Sequence, residues 1–201
     1  MNSTYITSAA LAEQLPDYDW PEVAFVGRSN CGKSSLLNAL LNRKNLARAS
    51  STPGRTQMVN FFGITKGERQ VIFADLPGYG FSAIGRLARK PWEELMGDYL
   101  VRENLREILF LCDIRRNFDE EDIELVDWLG RNANRYKLTV VLTKCDKLNQ
   151  SEQAKAVNKI QSLLDAKNMF VHQILAVSTL KNKGIEKLQA QLLSWLDEPK
   201  D

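Results

Sequence analysis

From Glu22 onward, short apolar runs alternate with stretches whose apolar positions recur every three or four residues. The runs 22–26, 107–113, 137–143 and 170–177 are apolar without alternation, which predicts strands buried on both faces. The helical period predicts helices over 33–43, 90–104, 119–134, 151–167 and 184–197. The third opens on Asp119-Glu120-Glu121-Asp122, acidic where the helix dipole favours negative charge. Ranges 57–64 and 69–74 flank Thr65-Lys66-Gly67-Glu68, a turn short enough to make them an antiparallel pair added to the parallel strands. The pattern as a whole predicts an α/β fold, with helices on both sides of a mostly parallel sheet.

Three stretches break the alternation. Residues 1–21 are weakly patterned and end in Pro16-Asp17-Tyr18-Asp19-Trp20-Pro21, a lead-in whose aromatics are expected to pack onto the domain edge. Stretches 43–56 and 78–90 are rich in Ser, Thr, Gly and basic residues without either period, and read as mobile loops. The length of 201 residues suits one domain, here 22–198, and 44% apolar with 26% charged residues suits an ordinary globular chain. A net charge of +2 permits nucleic-acid contact without arguing for it. Three cysteines, Cys31, Cys112 and Cys145, form no Cys-x-x-Cys pair, so neither a disulfide framework nor a zinc site is indicated. With no signal-peptide pattern and no apolar run near the roughly 18 residues of a membrane span, the expectation is a cytoplasmic protein, and a monomer. His172 reads as a strand residue at the sheet edge, with no metal or general-base role.

The chemistry is concentrated at the ends of the apolar runs. Gly27-Arg28-Ser29-Asn30-Cys31-Gly32-Lys33-Ser34 has the spacing of a phosphate-binding P-loop, after Val23-Ala24-Phe25-Val26 and before a helical pattern. Its glycines let successive backbone N–H groups converge on phosphate. Lys33 and Ser34 are placed to reach the terminal phosphates and a magnesium ion. Thr143-Lys144-Cys145-Asp146 follows the run 137–142, where a carboxylate can accept two hydrogen bonds from guanine that adenine cannot offer, so Asp146 points to GTP. Lys144 would lay its methylene stem along the base. Asp75-Leu76-Pro77-Gly78 provides an aspartate to support magnesium through water and a glycine whose N–H senses the γ-phosphate. Thr56, with Thr52 as fallback, would complete the magnesium shell beside Ser34. Val177-Ser178-Thr179 could bring backbone N–H groups to the guanine carbonyl.

The strings Gly-Arg-Ser-Asn-x-Gly-Lys-Ser-Ser, Thr-Pro-Gly-Arg-Thr-Gln, Asp-Leu-Pro-Gly-Tyr-Gly and Thr-Lys-x-Asp resemble those of the EngB family, also called YihA or YsxC, among the translation-factor-class P-loop GTPases that include TrmE, Era, EngA and septins. The resemblance implies a six-stranded Ras-like GTPase domain over 22–198, GTP and GDP as ligands, magnesium, and a role in assembling the large ribosomal subunit and in cell division and septation. It places nucleotide contacts on Gly27, Arg28, Ser29, Asn30, Cys31, Gly32, Lys33 and Ser34, on Gly54, Arg55, Thr56, Gln57 and Met58, on Asp75, Leu76, Pro77 and Gly78, on Thr143, Lys144, Cys145 and Asp146, and on Val177, Ser178 and Thr179. Catalytic roles fall on Lys33, Thr56 and Gly78. Relatives with an asparagine where this chain has Asn30 use it to help hold potassium. Tyr79 stands where Ras-type enzymes keep a water-orienting glutamine, which implies slow intrinsic hydrolysis.

Two other classes remain open from residues alone. A P-loop nucleotide kinase leaves Asp146 unexplained. An RNA-binding assembly factor could hold GTP only structurally. Arg86, Arg89, Lys90, Arg115, Arg116, Lys181 and Lys183 could grip the phosphates of ribosomal RNA or be solvated charges; DNA sequence recognition is not expected.

Overall fold

The computed structural model describes residues 2–43, 46–47, 58–79, 86–131 and 134–197, with the side chains of 86–92 excluded. Its elements run β1 (Asn2–Ala9), β2 (Glu22–Gly27), α1 (Lys33–Leu40), β3 (Val59–Lys66), β4 (Arg69–Asp75), α2 (Arg86–Leu100), β5 (Leu105–Asp113), α3 (Glu120–Gly130), β6 (Lys137–Thr143), α4 (Gln150–Ala166), β7 (Gln173–Ala176) and α5 (Ile185–Leu193). One sheet holds them in the order β1-β3-β4-β2-β5-β6-β7. Among the described residues only β3 runs against its neighbours, pairing antiparallel with both β1 and β4.

The α/β class and the single reversed strand stand as the sequence predicts, but the sheet has seven strands where the resemblance implies six. The additional strand is β1, inside the stretch read as a patternless lead-in. Asn2 pairs with Thr65 and Ala9 with Val59, with a bulge between Tyr5 and Thr7. This edge strand is held by backbone pairing and buries only Ser3 and Ala9, so it has no hydrophobic alternation to betray it. The lead-in aromatics do pack inward: the Tyr18 ring meets Phe61 edge-on at 6.3 Å.

Burial explains the unalternating runs. Every residue of β2 is buried. Val23, Phe25, Phe73, Leu109, Leu111 and Val141 face α1 and α5 through Leu36, Leu37, Leu40, Ile185, Leu188 and Leu192. Ala24, Val26, Ile108, Phe110, Leu138 and Val140 face α2, α3 and α4 through Met96, Tyr99, Val126, Leu129 and Leu164. Each such large side chain contributes about 1.5–3 kcal/mol by leaving water.

The expected loop 78–90 requires correction at its second half, because residues 86–90 already belong to α2. Arg-Leu-Ala-Arg-Lys is a run of strong helix formers, and the glycines before it mask that preference. Residues 80–85, 44–45 and 48–56 of the two expected loops, and residue 57 at the start of the expected strand 57–64, lie outside the described residues. At its start α3 is capped by Asp119, whose carboxylate accepts from Asp122 N–H while the Asp122 carboxylate accepts from Asp119 N–H.

Candidate functional site

The C-terminal ends of four parallel strands converge at one edge of the sheet: Gly27 closes β2, Asp75 β4, Asp113 β5 and Thr143 β6. Ligands of open α/β sheets bind at such an edge, outside the carboxyl ends of the strands. Strand β2 delivers the chain into the loop 28–32, which α1 continues from Lys33. The turn needs left-handed backbone twice, at Asn30 (φ 63°) and Gly32 (φ 101°). Asn tolerates that region and Gly adopts it without strain. At Gly27 space is the constraint, since a Cβ would lie 2.7 Å from both the Leu111 carbonyl oxygen and Cys31 Sγ. Gly27→Ala is therefore expected to destabilise the fold by about 1–3 kcal/mol, read as a lowered urea midpoint.

The cationic and anionic groups of the site engage one another. Lys33 Nζ donates to the Asp75 carboxylate and, at 2.8 Å, to the Leu76 carbonyl oxygen. Gly78 lies against the P-loop so closely that a Cβ would stand 3.3 Å from the Gly27 carbonyl oxygen and 3.6 Å from Ser29 N. Thr143 Oγ1 donates to the Cys31 carbonyl oxygen at 2.5 Å, tying the end of β6 to the P-loop.

Lys144, in left-handed backbone (φ 57°), donates from Nζ to the Asn30 carbonyl oxygen at 2.7 Å and pairs with Asp113 at 3.1 Å. Its stem therefore crosses above Gly32, with Cε 3.7 Å from where a Cβ on that glycine would stand. Sequence reasoning missed Asp113, whose carboxyl is held well below the usual carboxylate range, first by hydrogen bonds from Arg115 and further by Lys144.

Asp146 Oδ1 accepts from Ser178 Oγ at 2.5 Å, and that hydroxyl holds its carboxyl below the ordinary value. The Asp146 side chain is 8% exposed and lies 3.8 Å from Lys147 Nζ. The expected role of the 177–179 segment changes accordingly. The N–H of Val177 is taken by the Leu142 carbonyl and that of Ser178 by the Lys183 carbonyl, so these two are not available to a base. Ser178 contributes instead through its side chain.

Of the remaining expected site residues, Arg28 turns away from the phosphate side toward α3, Ser29 and Asn30 are exposed and Met58 is 38% exposed. Leu76 is buried, and Pro77 bridges it to Gly78. Ser34 sits in the first turn of α1, and Thr179 is exposed beyond Ser178. Thr52, Gly54, Arg55, Thr56 and Gln57 lie outside the described residues. Burial pushes the thiols of Cys31 and Cys145 up, and that of Cys112 up to about 12, which makes all three poor nucleophiles. Two of the arginines considered for RNA are paired within the chain, Arg115 to Asp113 and Arg116 to Asp119, and Lys183 donates to Gln153.

The profile of the family described as 50S ribosome-binding GTPase matches residues 22–144. A probable GTP-binding protein EngB of Trichlorobacter lovleyi is 43% identical over 197 residues, covering 98% of this chain and 96% of the relative. That of Mannheimia succiniciproducens is 42% identical over 192 residues, covering 95% and 91%. Among solved structures, Aquifex aeolicus Era bound to GDP and aluminium fluoride superposes with a TM-score of 0.67 at 28% identity, over 89% of this chain and 57% of the Era chain. Era with MgGDPNP and nucleotides 1506–1542 of 16S ribosomal RNA gives 0.69 at 27% identity, over 90% and 58%. The chain thus spans nearly the whole length of these EngB relatives and somewhat more than half the length of Era.

Proposed function

The chain belongs to the EngB family of GTP-binding proteins and is a GTPase by family and fold, and from that premise we propose a slow, magnesium-dependent GTP switch that acts in large ribosomal subunit assembly and in cell division and septation. The observation that carries this reading is the grouping of Lys33, Asp75, Gly78, Lys144 and Asp146 at one sheet edge, with Asp146 oriented by Ser178. A kinase would have no use for a carboxylate so held beside Lys144. In the proposed mechanism Asp146 reads the guanine edge and Lys144 lies along the base. The P-loop amides and Lys33 take the phosphates, and Gly78 N–H takes the γ-phosphate.

The donor set suits magnesium. Ser34 is a hard oxygen donor beside the P-loop and Asp75 a carboxylate that can support the ion through water, in keeping with the few protein ligands this ion takes when phosphate supplies the rest. Thr56 is proposed as a further ligand. When bound, magnesium neutralises charge on the β- and γ-phosphates. Tyr79 is 8% exposed, with its hydroxyl bonded to Asp122, which supports slow intrinsic turnover because the side chain at this position is committed to α3 rather than to a water. Asn30, exposed at the loop crest with its carbonyl held by Lys144, is proposed to lend its side chain to a potassium ion. Turnover in potassium is then expected to exceed turnover in sodium by about tenfold or more, the size of one charge-assisted contact in the transition state. Equal rates in the two salts would remove the potassium role.

A large-subunit partner is supported by the description of the matching family. The reading expects ribosomal large-subunit precursors to be retained at least about tenfold better with a non-hydrolysable GTP analogue than with GDP, the differential affinity any switch requires. Equal retention would favour GTP as a structural ligand only.

A further inference from the structure

Arg28 and Tyr79 belong to the P-loop and to the residue after the γ-phosphate glycine, yet both are bound to α3. Arg28 Nε donates to Asp122 Oδ1 at 2.9 Å, and its Nη2 donates to Asp119 Oδ1 at 2.6 Å and to Glu121 Oε2 at 2.8 Å. The Tyr79 hydroxyl donates to the same Asp122 Oδ1 at 2.7 Å, and the Arg28 guanidinium lies over the Tyr79 ring at 5.6 Å. Asp122 is 1% exposed and Tyr79 is 8% exposed. The Tyr79 ring is further wedged against Phe110 at 5.9 Å. Burial and the Asp122 charge push the Tyr79 phenol far above its ordinary value, so it remains a donor across the physiological range.

The network has a direction. One residue before Tyr79, Gly78 rests against the Gly27 carbonyl and Ser29. Two residues before that, Leu76 and its neighbour Asp75 occupy Lys33. The two groups assigned to the terminal phosphates are therefore both engaged, Lys33 by Asp75 and Leu76 and Gly78 by the P-loop, and the anchor immediately beyond Gly78 holds it in this arrangement. Either nucleotide draws Lys33 from these contacts through its β-phosphate, whereas only a γ-phosphate must also draw Gly78 from the P-loop.

We propose that Arg28, Tyr79 and Asp122 form a buried latch that opposes γ-phosphate engagement, so that these positioning residues set the preference between GTP and GDP and pass the movement of Gly78 to α3. The proposal rests on the reading of Gly78 as the γ-phosphate contact. Two-state linkage requires that loosening the latch favour the ligand that opens it, and leave the other nearly unchanged.

Tyr79→Phe keeps the ring, its contact with Phe110 and the cation–π contact, and removes only the hydroxyl. Its affinity for a non-hydrolysable GTP analogue is expected to rise about three- to tenfold relative to GDP, as the loss of one buried hydrogen bond allows. A merely structural tyrosine would lower stability and leave that ratio where it was, which would overturn the latch. Asp122→Asn, which keeps an acceptor for Tyr79 but discharges the pair with Arg28, is expected to shift the ratio the same way and serves if Tyr79→Phe does not fold. On the unmodified chain, amides of residues 120–123 are expected to exchange hydrogen faster with the GTP analogue than with GDP; equal exchange would count against the proposal. Gly78→Ala separates the two levels. If it leaves the GTP-to-GDP ratio unchanged, the γ-phosphate reading itself fails; if it collapses the ratio while Tyr79→Phe does nothing, only the latch does.

Discussion

Asp146→Asn is expected to lower GTP affinity by about 10³-fold while raising affinity for XTP, with ATP remaining a poor ligand. A carboxylate presents two acceptors, and guanine answers with its ring N1–H and its exocyclic amine. An amide in the same place presents one acceptor and one donor, which suits the N1–H and C2 carbonyl of xanthine. The substitution should leave the scaffold intact, because the amide oxygen can still accept from Ser178 Oγ, which now lies 2.5 Å from Asp146 Oδ1. Ser178→Ala is the milder companion. It frees the carboxylate to turn without removing it, so guanine affinity should fall by roughly the tenfold of one charge-assisted hydrogen bond while base preference survives. Calorimetric titration with GTP, XTP and ATP reads all three outcomes. An unchanged ranking of the bases in Asp146→Asn would remove the guanine assignment and everything built on it.

Local patterns were readable from the residues, and contacts between distant segments were not. The run 137–143 matches β6 end for end, because a strand buried on both faces shows no alternation of apolar and charged positions after its exposed Lys137. The P-loop was legible because strand, glycine-spaced loop and Lys-Ser are adjacent in the chain. In contrast, Arg28 meets Asp122 across 94 residues of sequence. The acidic opening of α3 read only as a favourable helix start, and its second use, holding the P-loop, has no local signature. Asp113 beneath Lys144 was invisible for the same reason, since a strand-end aspartate has many uses. Ser178 is half legible: its place after the last strand marks the segment, but the backbone N–H groups of Val177 and Ser178 that such a place offers to a base are already used by the fold. The edge strand β1 escaped because main-chain pairing alone imposes little on side chains. The start of α2 escaped because Gly80 and Gly85 precede residues that are themselves good helix formers.

Lys33→Ala should separate the two partners that this ammonium serves. Side-chain exposures of 15% for Lys33 and 11% for Asp75 mean that each charge depends on the other, or on a bound phosphate, for compensation. With the lysine gone, GTP affinity is expected to fall by about two orders of magnitude, from the loss of two charge-assisted contacts at about 1.5 kcal/mol each. Hydrolysis should fall further, because charge builds on the γ-phosphate in the transition state. The same change strands a nearly buried carboxylate and leaves the Leu76 carbonyl without its donor, so the protein should also lose about 1–3 kcal/mol of stability. Adding Asp75→Asn removes the stranded charge. The double variant should therefore recover much of the urea midpoint while binding GTP no better than Lys33→Ala alone, because neither amide nor alanine supplies a cation to phosphate. Recovery of stability and affinity together would mean that the lysine acts only as the structural counter-charge of Asp75. Retention of GTP affinity within about threefold in the single variant would show that the phosphates lie elsewhere.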